Sequence, residues 1–467
     1  MIAIVPILPA VYSLVTIFGS IVISLGTVLG LTRNPRRRRM MLRFLWNQRF
    51  SLLVIAASLY LTWHVARSAL HWVQSGRIQE QPFEQGRDWP MFRGDLQRTG
   101  VSDETEKVSI AVKKWTGGWN DEFFSSPTIV GNRVYCASGR NGTMYCWDLE
   151  TGDLQWVTRL AEWRETFSSP VISAGRLYIG EGFHNTRRCR VACLEILRTG
   201  IPEMRWIFET NGHVECTPFV ADDGIYVAAG SDGLYKLSLD ELNNASPQVI
   251  WHVRGELLGD VETALVADAE HVFIGLGTVP YAVAALNSVN GKVRHTLNLS
   301  YPVHAPPALH EGFLYVGTGP GDYAGHYADK MGQLACIDTE TFFPAWSFEM
   351  PGTILGAIVV SEKEVICGCT DGYVRVLDLQ GNLLHDWDSG ASILASLAVT
   401  SQQVCGINTS GRLFLLDREE FTLIADVQLG HSGIFISSPA IGRGKVVVGS
   451  QDHGLSCFGE FDFEVQD

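Results

Sequence analysis

From about residue 113 onward, short runs of apolar residues recur at a period of ~45, separated by Gly, Asn and Asp. The clearest copy runs Ser125-Ser126-Pro127-Thr128-Ile129-Val130, then Arg133-Val134-Tyr135-Cys136, then Asn141 to Asp148, and closes with Thr151-Gly152-Asp153-Leu154-Gln155-Trp156. Its β-branched and aromatic runs predict four short strands. Asn141-Gly142 and Thr151-Gly152 supply the turn residues between them. The second strand recurs at Val134, Leu177, Ile225, Val272, Leu314, Val365, Val404 and Val446. Seven residues before each stands Pro127, Pro170, Pro218, Leu265, Pro307, Ile358, Leu397 or Pro439. Eight copies with one constant offset predict an all-β, eight-bladed propeller. The last copy lacks a closing strand after Ser456-Cys457-Phe458-Gly459, whereas Val112-Lys113-Lys114-Trp115 is a closing strand without a copy of its own. The N-terminal strand is therefore predicted to complete the last blade, which removes the open edge.

A different pattern precedes the repeats. Ile2 to Leu31 carries no charge and exceeds the ~20 residues that cross a bilayer. The block Arg33-Asn34-Pro35-Arg36-Arg37-Arg38-Arg39 follows, and a second apolar run extends from Phe50 to Ala66. These features predict a membrane anchor over residues 1–75, with transmembrane helices at about 2–31 and 50–70 and a cytoplasmic Arg-rich loop between them. A lead-in linker (76–111), the propeller (112–460) and a tail (461–467) would then lie on the periplasmic side of the inner membrane. A start at Met40 or Met41 would turn the second run into a signal-anchor or a cleavable signal, and the domain would still be exported.

Charge sharpens the division. Residues 1–79 hold nine Arg and no Lys, Asp or Glu, so the rest carries 27 of the 36 basic residues and all 50 acidic ones. That field repels phosphate backbones and argues against a nucleic-acid partner. The ten Cys form no CxxC pair and no CxxCH, which argues against a zinc ribbon or a covalent haem. Cys136 and Cys146 flank Asn141 in a predicted hairpin, leaving open either a cross-strand disulfide or two buried thiols.

The copies ending in Trp115, Trp156, Trp206, Trp251, Trp346 and Trp387 resemble the PQQ-type repeat of quinoprotein dehydrogenases and of BamB-like envelope proteins. The copies near His295 and Ala425 lack the Trp. The lead-in Asp88-Trp89-Pro90-Met91-Phe92-Arg93-Gly94, continuing Arg98-Thr99-Gly100-Val101-Ser102, is similar to the segment before such propellers in planctomycete-type membrane-anchored proteins. The resemblance implies that the Trp residues pack between blades, and it speaks to fold more than to activity. The paired cysteines of the quinone-dependent dehydrogenases are missing, since the chain has no Cys-Cys dipeptide.

Chemistry is to be sought where the copies differ. The residue three before each proline-equivalent position begins the innermost strand and reads, around the ring, Phe124, Phe167, Glu215, Glu262, His304, Leu355, Leu394 and Ile436. Glu215, Glu262 and His304 thus fall on three successive blades, as candidates for a divalent cation or general base, or as a solvated side of the channel. An insertion in the fifth copy carries Asp322, Tyr323, His326, Tyr327 and Asp329 among glycines and suits recognition of a partner or sugar. The loop Glu181-Gly182-Phe183-His184-Asn185 takes the equivalent place in the second copy, while His213 and His431 read as incidental loop histidines. The leading expectation is a membrane-anchored, non-catalytic binding or scaffold propeller for envelope proteins or polysaccharide. A PQQ- and calcium-dependent oxidoreductase is the alternative, and a sensor or carbohydrate-binding module is the third.

Overall fold

The computed structural model describes residues 35–36, 39, 87–102, 104, 107–184, 186–197, 200–239, 246–277, 279, 281–321, 332–430 and 435–460. Among these residues, 32 strands form eight four-stranded antiparallel sheets. Blades 1 to 7 span residues 128–159, 171–209, 219–254, 266–298, 308–350, 359–388 and 398–428. Blade 8 takes three strands from 440–459 and its outermost strand from Val112–Gly117. Each proline-equivalent position directly precedes the innermost strand of its blade, and each repeated apolar position lies in the second strand. Second and third strands such as Gly224–Ala228 and Ala282–Asn287 are buried almost throughout, because neighbouring blades cover both faces. Outer strands such as Leu383–Asp388 are mostly exposed.

Closure follows the predicted route. Val112 pairs with Gly459 and Gly117 with Leu455, with one bulge between Lys113 and Trp115. Hydroxyls link the inner strands from blade to blade, the last of them across the same seam. The Ser126 amide donates to Ser169 Oγ (2.9 Å), Ser169 to Thr217 Oγ1 (3.0 Å), Ser396 to Ser438 Oγ (3.0 Å), and Ser438 back to Ser126 Oγ (2.9 Å). The Ser or Thr before the proline-equivalent position therefore satisfies buried amides from one blade to the next.

The outer strands explain the Trp pattern and correct one assignment. Trp115, Trp156, Trp206, Trp251 and Trp346 all sit immediately beside the bulge that starts the outer strand pairing. In blade 6 that position is His385, paired with Val376, and Trp387 lies two residues further along. Three blades therefore lack the docking Trp, with His295, His385 and Ala425 in its place. Trp115, Trp251 and Trp346 each donate an indole N–H to a carbonyl of the next blade, at Leu149, Ser288 and Leu379. Each ring also fills the space over a positive-φ glycine there, Gly152, Gly291 or Gly381, where a Cβ would lie within 2.5 to 2.8 Å of the ring. Where the preceding blade offers His295 or His385, the glycine is replaced by Phe342 or Phe421, still at φ 56° and 52°. These rings stack back on the histidines at 5.4 and 5.6 Å. The large aromatic has moved across the blade interface, and the left-handed turn has stayed.

Cys136 and Cys146 are both free thiols. In the hairpin Cys136 pairs with Tyr145 and Cys146 with Tyr135, so the two side chains leave opposite faces and enter different hydrophobic cores.

The lead-in, over its described part, is bound to the ring rather than free. Trp89 exchanges backbone hydrogen bonds with Ile129 of blade 1 (2.7 and 2.8 Å), and the Pro90 carbonyl accepts from Ile172 of blade 2. Carbonyls of Gln97, Thr99, Gly100 and Arg87 accept from Leu309, Val360, Val399 and Arg443, on blades 5, 6, 7 and 8. The remaining two blades are met by Arg98, whose guanidinium donates to Leu265 O (2.6 Å) on blade 4 and Thr217 O (3.3 Å) on blade 3. Arg93 donates to Ile358 O (2.8 Å) and to Leu397 O. Both guanidiniums are almost wholly buried, and burial pulls Arg93 down to about 9 and Arg98 to about 10. The segment closes one end of the axial channel.

The predicted membrane anchor is corrected. Among the described residues no helix is long and apolar enough to cross a membrane. The runs at 2–31 and 50–70 lie outside the described residues. Uncharged length was the ground for the two helices, and no spanning helix among the described residues supports it. The transmembrane helices, the membrane-anchored role and the inner-membrane, periplasm-facing placement are accordingly not carried forward.

Two stability measurements check this account. Phe342→Gly should destabilise the protein by ~2–3 kcal/mol in urea unfolding, because the emptied blade interface outweighs the relieved positive φ. His295→Trp in the same chain should restore part of that loss, a coupling that independent sites would not show. Arg98→Ala should cost ~2–4 kcal/mol, since it leaves the Leu265 and Thr217 carbonyls without their donor; an unchanged unfolding midpoint would contradict the bound lead-in.

Candidate functional site

The innermost strands converge on a cavity of about 520 Å³, floored by Phe92 of the lead-in. All eight residues read from the repeat alignment line it: Phe124, Phe167, Glu215, Glu262, His304, Leu355, Leu394 and Ile436. The wall divides into arcs. Phe124 stacks on Phe167 (4.4 Å between centroids), Phe167 on Phe183 (4.1 Å), and Phe183 meets His184 at 4.6 Å. Leu355, Leu394 and Ile436 form an aliphatic side.

The polar arc brings Glu215, Glu262 and His304 together and adds His184, from the second-copy loop, and His213. His304 Nδ1 lies 3.9 Å from Glu262 Oε2. His184 Nδ1 lies 3.1 Å from Glu215 Oε2 and 3.7 Å from Glu262 Oε1. The His213 ring stands edge-on to His184 at 6.1 Å, so it is part of the arc and not an incidental loop residue. It is buried in a slot against Gly230, where an added Cβ would come within 2.4 Å of the ring. Its Nε2 has no hydrogen-bond partner. His184, His213 and Glu262 could hold a metal ion, one ligand atom of each lying within 4.8 Å of the others.

A buried ion pair fixes the loop that delivers Phe183 and His184. Glu181 is fully buried and accepts two hydrogen bonds from the Arg190 guanidinium (2.7 and 2.9 Å) and one from the Arg164 amide (3.0 Å). The Glu181 carbonyl accepts from Val214, tying the loop to the strand lead that carries Glu215. Thr186 Oγ1 accepts from the Phe183 amide and donates to its carbonyl. The other candidate loop, with Asp322, Tyr323, His326, Tyr327 and Asp329, lies outside the described residues, as does His431.

Burial sets the protonation of the arc. It pushes the Glu215 carboxyl well above the usual range, helped by repulsion from Glu262 and Asp260. It lifts Glu262 to about 7, with Asp260 adding to the rise. It also lowers His184, His213 and His304 below the ordinary imidazole value. The arc thus favours neutral acids beside neutral imidazoles.

Eight sheets on one axis, closed by the N-terminal strand and docked by a repeated aromatic, define a PQQ-repeat β-propeller. A family model described as "Outer membrane protein assembly factor BamB" matches residues 109–182 and 283–461. That is more than half of the chain, and the chain belongs to this family. Among solved structures, BamB from Moraxella catarrhalis is similar at a TM-score of 0.58 and 15% identity, over 76% of this chain and 100% of its own. The computationally designed Ika8 protein is similar at 0.57 and 15%, over 74% and 99%, and Sqt1 of Saccharomyces cerevisiae at 0.58 and 12%, over 76% and 100%. At these identities the likeness is one of fold. No curated protein matches the sequence. The likeness of the lead-in to planctomycete-type proteins finds no support in these matches.

The cavity does not fit PQQ with calcium. PQQ is a tricarboxylate, yet the described lining contains no Lys or Arg and presents the carboxyls of Glu215 and Glu262. Calcium takes six to eight oxygen ligands, whereas three imidazoles share this arc with the two carboxyls.

The raised carboxyls predict a pH effect in chelator-treated protein. Glu262 binds its proton up to about 7 when folded and up to about 4.5 when unfolded. Against the opposing pull of the lowered His184, His213 and His304 imidazoles, the proton that Glu262 holds when folded makes its own contribution to stability fall as pH rises from 4.5 to 7. Glu215 acts in the same direction. Thermal melts across this range should show a less negative, or more positive, slope with Glu262→Gln than with the parent chain; an unchanged slope would mean that the carboxyl is not buried as described.

Proposed function

We propose that the protein is a non-catalytic scaffold propeller of the kind its family description names, holding an apolar or aromatic side chain of a partner protein in its axial cavity. The observation that carries this reading is the division of the channel. One end is closed by a segment bonded to all eight blades, so entry is confined to the face bearing Phe183 and His184. At that face three stacked Phe rings on one side oppose Leu355, Leu394 and Ile436 on the other. The likeness to BamB, described as an assembly factor, supports a scaffold role.

Photo-crosslinking in the producing cell tests it. A benzophenone-bearing residue at Phe183 should yield a discrete protein adduct, and the same group at Leu423 on the outer rim should yield none. Phe167→Ala should reduce the Phe183 adduct at least severalfold. Equal labelling from both positions would overturn the reading, and an adduct that polysaccharide-degrading enzymes shift in size would replace the protein partner with a glycan.

A further inference from the structure

We infer that His184, His213 and Glu262 form a binding site for one imidazole-favouring divalent transition cation, of the zinc class. Two imidazoles and a carboxylate are the donor set of open, three-ligand zinc sites, and imidazole selects such ions over calcium and magnesium. The three residues come from three successive blades and converge only through the propeller. His184 belongs to the second blade's long inner loop, His213 precedes the first strand of the third blade, and Glu262 precedes the first strand of the fourth.

Geometry supports the assignment. Ligand atoms ~2.0–2.1 Å from a tetrahedral ion stand about 3.3 Å apart. Here the three lie within 4.8 Å of one another, so closing on an ion needs shifts of ~1 Å. His213 is the fixed element, held in its slot against Gly230. Its Nε2 is buried and makes no hydrogen bond, although a buried ring nitrogen normally finds a partner. A coordinated ion would supply one. His184 can move to meet it, because 44% of its side chain is exposed. Its loop, meanwhile, is anchored from behind by Glu181 and Arg190. Glu215, 3.1 Å from His184 Nδ1, is placed to take the fourth position or to orient the imidazole. With Glu215 orienting the imidazole, the fourth position of a bound ion would be left for an incoming donor.

The site does not depend on the scaffold role and is tested separately from it. Full-length protein is stripped with a chelator and titrated with cobalt(II), which reports tetrahedral coordination through its visible bands, and then with zinc. The inference requires one equivalent of cobalt per chain, displaced by zinc and indifferent to millimolar calcium. His184→Ala and His213→Ala should each weaken binding at least tenfold, whereas His295→Ala, at a blade interface, should not. Should His213→Ala fail to fold, the half-exposed His184→Ala and His184→Gln decide the matter. No saturable binding, or binding that His184→Ala leaves intact, overturns the site. Loss of metal binding alongside persistent adducts from Phe183 would remove the ion site and leave the scaffold role standing.

Discussion

The pairing of Val112–Gly117 with Leu455–Gly459 is the constraint on which the ring depends. Each blade alone is a twisted four-stranded sheet with two apolar faces, and it is stable only when both are covered. Seven blade interfaces form along the chain, but the eighth requires the two ends of the repeat region to meet. The seam is reinforced at two further radii. Near the axis the Ser438 amide donates to Ser126 Oγ, and at the rim Trp115 caps the Thr151-Gly152 turn of blade 1. Hydrogen bonding, packing and register thus agree at the join.

The same closure makes a site. Eight innermost strands on one axis leave a channel too wide for their side chains to fill, and the lead-in blocks it from one side with Phe92, Arg93 and Arg98. Burying two guanidiniums without a carboxylate partner for each is costly, as their lowered affinity for protons reflects. The main-chain carbonyls of Thr217, Leu265, Ile358 and Leu397 at the starts of the blades offset that cost by accepting from the two guanidiniums. What remains among the described residues is a pocket floored at the lead-in end, where the pseudo-symmetry of the fold is broken by side chains and by the long 181–189 loop.

The fold was legible because its signals are local and repeated eightfold. A constant seven-residue offset fixed each inner hairpin, and the missing last strand with its counterpart at Val112 gave the closure. The ring of cavity residues from Phe124 to Ile436 was legible for the same reason. Trp387 was misplaced because the turn before it, closed by Asp378 and Asn382, is one residue shorter than its counterpart closed by Asp338 and Phe343, so the structural equivalent of the docking Trp in that blade is His385. The contribution of His184 and His213 was hidden since neither sits at a repeat position. The excess length of the 181–189 loop over the tight turn at 138–142 was the available signal. The plug role of Arg93 and Arg98 left no periodic trace at all. It emerges only once the strand-start carbonyls of Thr217, Leu265, Ile358 and Leu397 are seen around the two guanidiniums.

The lead-in has a consequence for how the protein is made. Its residues 87–100 leave the ribosome before any blade, yet their partners include Val399 and Arg443 near the other end of the chain. At ~5–20 residues per second, the stretch from Val112 to Gly459 takes roughly 20–70 s to synthesise. During that time Val112–Gly117 is an unpaired strand, and two arginines destined for the axis are in water. The nascent chain must therefore hold an open crescent of finished blades with an exposed strand at its front. Only when the last strand emerges can the crescent shut around the segment that was made first.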